Sequence, residues 1–213
     1  GKESLSTVWQ LMPAVQGANT YEGGTFIFTQ GPPPSLAISQ ELFGAFSSND
    51  LRRDQWIKSV TDGTTTWYHA NKYKESSNTG SSMEYSIVLR MAEQYLIRAE
   101  ARANQKNYSG ASKDLSDLRR ARFQGGNGSI SVSEQNWLEI IEEERVRELY
   151  MEGFRLQDLK RWHKGFERKP QEQSLANGSS LKIEADDVRF VWPIPKHELE
   201  SPGSQIQPNE SNK

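Results

Sequence analysis

The sequence predicts a mainly α protein with irregular loops and a few short strands, on three observations. Apolar residues recur at helical spacing in two neighbouring windows. A third window alternates charges with aromatic anchors at i,i+3 and i,i+4 spacing. Elsewhere the chain is polar and broken by Gly and Pro, with only short runs suited to strands.

Residues 1–82 read as irregular and loop-rich. Val8, Trp9 and Leu11, then Thr25 to Phe28, suggest short extended pieces, broken by Gly23-Gly24 and Pro32-Pro33-Pro34. Residues 35–46, with Leu36, Ile38, Leu42, Phe43 and Phe46, read as one amphipathic helix ended by Ser47-Ser48-Asn49-Asp50. From Thr61 to Ser82 the chain is polar and irregular, with Trp67, Tyr68, His69 and Tyr73 scattered through it.

Residues 83–164 form the expected helical core. Leu89, Ala92, Leu96, Ala99 and Ala103 share one helical face, and Ser81 with Glu84 could form a capping box at its start. A second helix is expected from about Ser109 to Phe123, carrying Ala111, Leu115, Leu118 and Ala121. Two antiparallel helices with a short link make one TPR-like unit. After a Gly/Asn/Ser loop over residues 124–133, Ser133 is a fair N-cap for a helix from about Glu134 to Met151. A short helix to about Lys164 follows, joined at Gly153, where a left-handed turn suits glycine. Residues 165–213 are a loop and Pro-rich tail, with a polar loop from Pro170 to Ser180 and the apolar run Val188 to Pro195. Trp9, Trp137, Trp162 and Trp192 sit in apolar patterns and are expected in the core.

Composition narrows the function. The 213 residues suffice for one good core or two small ones, at 34% hydrophobic and 25% charged. A net charge of −2 gives no field for nucleic acid. The absence of cysteine excludes disulfides, thiolate nucleophiles and Cys-based zinc sites. No apolar run is long enough to span a bilayer, and the N-terminus lacks the features of a signal peptide. The three histidines have no partners at metal-ligand spacing, and no nucleophile-elbow, zincin or P-loop motif is present. No enzyme activity, metal or cofactor is therefore expected. Asp186-Asp187 reads as a solvated turn rather than a catalytic pair.

The stretch Glu142 to Trp162 reads EEERVRELYMEGFRLQDLKRW. Its pattern E-R-x-x-E-L-x-x-E-G-x-R-x-x-D-L-x-R-W resembles the signature of the SusD/RagB family. Leu89 to Ala101 is similar to the family's L-R-x-A-E-x-Y-L-x-x-A-E-A, Asp50-Leu51-Arg52-Arg53 to its D-x-R-R element, and Trp192 to Glu198 to its terminal F-P-I-P-x-x-E. Leu115 to Arg122 departs from the family's L-N-x-[VI]-R-x-R-A, with Ser116 in place of the Asn and Ala121-Arg122 inverted. The resemblance covers the family's C-terminal portion, so the chain is expected to be part of a longer protein.

The resemblance implies TPR-like helical hairpins in an α/α superhelix, in a nutrient-binding lipoprotein on the outer membrane of Bacteroidetes. The family's lipidated N-terminal Cys is absent here. The implied function is glycan binding at the cell surface for polysaccharide utilisation, with ligand passed to a TonB-dependent, SusC-like transporter. The alternative is a TPR-like module that binds peptide or protein. No site residue carries over by identity. On physical grounds Trp67 and Tyr68 are the first candidates for stacking on sugar rings, with Asn71, Trp56 and Tyr21 behind them. Arg90, Glu93, Glu100, Glu144, Arg145, Glu148, Arg155, Asp158, Arg161 and Trp162 read as a structural network rather than a ligand site.

Overall fold

The computed structural model describes residues 4–34, 36–168 and 182–212. The chain divides into two compact units, Gly1–Met151 and Glu152–Lys213. The first holds β1 (Thr7–Leu11), α1 (Tyr21–Phe26), α2 (Gln40–Gly44), α3 (Leu51–Gln55), β2 (Ile57–Thr61), β3 (Thr66–Ala70), β4 (Ser86–Arg90), α4 (Met91–Asn104), α5 (Tyr108–Arg120) and α6 (Trp137–Leu149). The second holds α7 (Arg155–Arg161), β5 (Phe166–Glu167), β6 (Lys182–Ile183) and α8 (Lys196–Leu199). The described strands form three antiparallel two-stranded ribbons, β1 with β4, β2 with β3 and β5 with β6. The protein is thus helix-rich with a few short strands, as expected. The polar loop expected from Pro170 to Ser180 falls outside the described residues.

Small residues let α4, α5 and α6 approach closely. Leu96, Ala99 and Ala103 of α4, Ala111, Leu115 and Leu118 of α5, and Ile141 of α6 are buried. Asn107 caps α5, its Oδ1 accepting from Gly110 N at 2.9 Å. Asp114 of α5 accepts from Arg98 Nη2 and Arg102 Nη1 of α4, both at 2.7 Å, so α4 and α5 run back along each other as a hairpin. A second apolar cluster joins Ile38, Phe46, Ile57, Ala70 and Tyr150.

Long-range pairing overrides local pattern in several places. The helix expected over 35–46 is confined to α2, because Ile38 N donates to Tyr68 O at 2.8 Å and so extends the β2–β3 hairpin. The extended piece expected from Thr25 to Phe28 is taken at Thr25 and Phe26 by α1, which contains Gly23 and Gly24 and is capped by Thr20, while Ile27 beyond it is extended. Ser81 and Glu84 form no capping box. Residues 86–90 pair with β1 as β4, so the helix begins only at Met91. Ser133 does not cap α6: Asn136 holds that position, and its Oδ1 accepts from Ser133 N at 2.7 Å. Trp67 and Tyr68 lie on β3 rather than in a loop. Trp9 and Trp192, expected in the core, are 53% and 77% exposed. Gly153 does adopt the left-handed conformation, at φ +84°.

Candidate functional site

Two polar stretches far apart in the chain meet in an open recess of about 470 Å³, lined by Asn19, Thr20, Tyr21, Gly24, Thr25, Ser76, Ser77 and Asn78. That size is ordinary for a small-molecule site, about 300–1,000 Å³. Asn19 stitches the stretches together. Its Nδ2 donates to Ser77 O and Thr79 Oγ1, both at 2.9 Å, and its Oδ1 accepts from Met83 N at 2.8 Å and Glu84 N at 3.1 Å. The buried Glu84 carboxylate accepts from Lys74 N at 2.9 Å and Glu75 N at 3.0 Å, fixing the start of the same wall.

Two glycines let the walls touch backbone to backbone. A Cβ on Gly23 would lie 2.1 Å from Glu75 O, and one on Gly17 would lie 2.3 Å from Thr79 O. Every polar atom of the Asn19 side chain has a partner, so the frame is set by the protein alone. Tyr21 stands on this frame and is 85% exposed.

The other aromatic candidates belong to the β2–β3 hairpin and its packing. Tyr68 stacks on Phe43 with ring centroids 3.9 Å apart and planes 12° apart, against the second apolar cluster. Trp67 is half-buried and covers Gly31 so closely that a Cβ there would meet its ring at 2.0 Å. Trp56 carries three cations over its ring: Lys72 at 4.9 Å, Arg122 at 5.2 Å and Arg90 at 5.8 Å. Its carbonyl accepts from Tyr150 Oη at 2.6 Å and from Asn71 N at 2.7 Å. Asn71 Nδ2 donates to Gln55 O at 3.1 Å. Trp56, Tyr68 and Asn71 therefore have protein partners, whereas Tyr21 is presented to solvent on α1.

The charged residues of the α6 signature face inward. Glu148 accepts from Arg52 Nη1 at 2.8 Å, from Arg122 Nη2 at 3.0 Å and from Arg90 Nη1. Glu144 accepts from Arg52 Nη1 at 2.7 Å, Arg119 Nη1 at 2.9 Å and Arg147 Nη2 at 3.2 Å. Arg52 also forks onto Asp50, with Nε to Oδ1 at 2.9 Å and Nη2 to Oδ2 at 2.7 Å.

Burial pushes the Glu148 and Glu144 carboxyls upward. The surrounding guanidiniums more than offset it, holding both below the usual carboxylate range. Burial likewise works against the Arg52 charge, and Asp50, Glu144 and Glu148 together raise its pKa. This arrangement binds charges to each other and leaves its carboxylates no open face.

Of the remaining signature residues, Glu93 and Arg145 are buried and Glu100 is half-buried. In the second unit, Arg161 Nε donates to the buried Asp158 at 2.9 Å, and its guanidinium lies 4.3 Å over the Trp162 ring. Arg155 is exposed on α7. Among the described residues no cluster of three or more His, Asp or Glu could hold a metal ion, and no helix is long and apolar enough to cross a membrane.

Sequence reasoning missed most of the recess: Asn19, Ser76, Ser77, Asn78 and the supporting Glu84. The available signal was compositional, in the polar runs Gly17 to Thr20 and Ser76 to Ser82. It also missed Arg52, Arg119 and Arg122 as partners of Glu144 and Glu148. The Asp62-Gly63 pair between two β-prone runs could have announced the hairpin that carries Trp67.

A family model described as the SusD family matches residues 49–210. A SusD-like carbohydrate binding protein from Bacteroides vulgatus ATCC 8482 is similar at 25% identity, over 77% of this chain and 36% of its own, with a TM-score of 0.59. A SusD superfamily protein from Bacteroides thetaiotaomicron VPI-5482 is similar at 26% identity, over 79% and 39%, with a TM-score of 0.61. Surface glycan-binding protein A from Bacteroides uniformis shares the fold at 16% identity, over 97% and 49%, with a TM-score of 0.56. The chain thus spans between 36% and 49% of the length of these three structures. Comparison with curated proteins gives no match.

Proposed function

The chain belongs to the SusD family, and from this premise we propose that it binds glycan at the cell surface for nutrient uptake. The observation that carries this reading is the family match over residues 49–210, together with likeness at 25% identity to a SusD-like carbohydrate binding protein. The mechanism is capture: an aromatic face stacks on the C–H face of a sugar, neighbouring polar groups bond its hydroxyls, and no bond is made or broken.

In the longer protein we place this capture at the outer membrane, under a lipid anchor, with ligand handed to a TonB-dependent, SusC-like transporter. The α4–α5 hairpin is read as one unit of a TPR-like α/α superhelix. Glu144, Glu148 and Arg90 are read as structural rather than ligand-binding, because their charges are already answered. Of Trp67, Tyr68, Asn71, Trp56 and Tyr21, the last is preferred as the ligand contact, since it alone combines high exposure with a polar recess.

The test is retardation of this chain in affinity gels containing starch, xylan, mannan, pectin or host glycans. Retardation by one class supports capture and identifies it. Migration unchanged in every gel would sink the reading and favour a peptide-binding module on the helical hairpins.

A further inference from the structure

We propose that the recess between α1 and residues 76–78 receives one uncharged sugar unit of a glycan, with Tyr21 as its stacking platform. The inference rests on the glycan-capture reading and gives it a location and a ligand class. Family membership does not assign this site, because α1 precedes the matched stretch 49–210.

The platform is exposed, but its base is fixed. Tyr21 presents its ring to water at 85% exposure, leaving a large apolar face that a sugar's C–H face can cover. Directly beneath it, Thr20 Oγ1 accepts from Gly23 N at 3.1 Å, and Gly23 presses against Glu75 O. The opposite wall is held by Asn19 and Glu84, each bonded to several backbone groups of residues 74–84. Ordering on binding is therefore small, which favours affinity for a weak ligand such as a sugar.

The hydroxyl partners are also present. Thr25 Oγ1 donates to Tyr21 O at 2.8 Å and keeps lone pairs to accept. Ser76, Ser77 and Asn78 expose donors and acceptors along the other rim.

Charge selects the class of sugar. None of the lining residues is Lys, Arg, Asp or Glu. Glu22 and Glu75 adjoin Tyr21 and Ser76 in the chain, and the nearby Lys74 donates its Nζ protons to Gln55 O and Asn71 O instead. The lining therefore offers an anionic sugar no cation to answer its charge. A neutral one loses nothing.

The experiment is calorimetric titration of the 213-residue chain with maltohexaose, xylohexaose, mannohexaose and hexagalacturonate, repeated for Tyr21→Ala, Asn78→Ala and Trp67→Ala. One neutral oligosaccharide is expected to bind. Tyr21→Ala should weaken it about tenfold and Asn78→Ala about threefold, while Trp67→Ala retains at least half of the affinity. Wild-type affinity in Tyr21→Ala would overturn the recess and leave glycan capture standing. Tighter binding of hexagalacturonate than of any neutral probe would overturn the ligand class. Binding of no oligosaccharide would remove glycan capture and this inference together.

Discussion

Arg52 and Glu148, 96 residues apart in the chain, meet at 2.8 Å with side-chain exposures of 1% and 0%. Arg52 simultaneously contacts Glu144 and Asp50, so one guanidinium ties α3 to two turns of α6. Two buried ions cost several kcal/mol each to dehydrate, and only full partnering recovers it.

Removing Arg52 should therefore be severe. Arg52→Ala leaves the buried Asp50 without a cation and takes one of three guanidiniums from each of Glu144 and Glu148, and a loss of about 3–5 kcal/mol is expected. Urea denaturation monitored by Trp fluorescence checks this. A loss below about 1 kcal/mol, the range of exposed pairs, would show that the cluster contributes nothing special.

Acid should loosen the same cluster. The folded pKa values of Glu144 and Glu148 lie below their unfolded value of about 4.3. Their contribution is thus complete above about pH 5 and declines as the pH falls through the unfolded value toward the depressed folded ones. Denaturation midpoints at pH 7, 5, 4 and 3 should fall mainly over the last two steps. Glu148→Gln should lower stability at pH 7 and flatten the acid limb. An acid limb as steep as in the wild type would assign the pH dependence to other carboxylates.

Gly23→Ala tests the close approach under the recess. Alanine is the better helix former by about 1 kcal/mol, but its Cβ would sit 2.1 Å from Glu75 O. Backbone must move, at an expected net cost of about 1–3 kcal/mol. Amide exchange should quicken at residues 74–79. Unchanged exchange there, with unchanged stability, would mean the two walls are not in contact.

The helical core offers a control among residues that do not line the recess. Leu96 is fully buried between α4 and its neighbours, so Leu96→Ala should cost about 2–5 kcal/mol. Oligosaccharide affinity, measured where the variant is still folded, should be unaffected. A selective loss of affinity without a stability change would contradict the placement of Leu96 in the core.

The helices were legible where one residue's neighbours in sequence are also its neighbours in space. Ala92, Leu96, Ala99 and Ala103 repeat at helical spacing and are buried together, and Gly153 turns left-handed where the pattern required a stop. The same reasoning failed at Leu89, which fits the helical stripe but pairs with Trp9 across β1 and β4. It failed again at Ile38, drawn into the hairpin by Tyr68. Pairing between strands depends on partners tens of residues away, and spacing carries no trace of them.

The sequence by itself thus determined the family, the α4–α5 hairpin and the inward charge pattern of α6, because helical periodicity and the run Glu142–Trp162 are local. Tertiary structure alone decided which arginines answer Glu144 and Glu148. It also decided that Trp56 and Tyr68 are engaged by protein neighbours and that Tyr21 stands over a polar recess. The recess follows from Asn19, Gly17 and Gly23 meeting residues 75–84, and like the other long-range contacts these exist only once the chain has closed on itself.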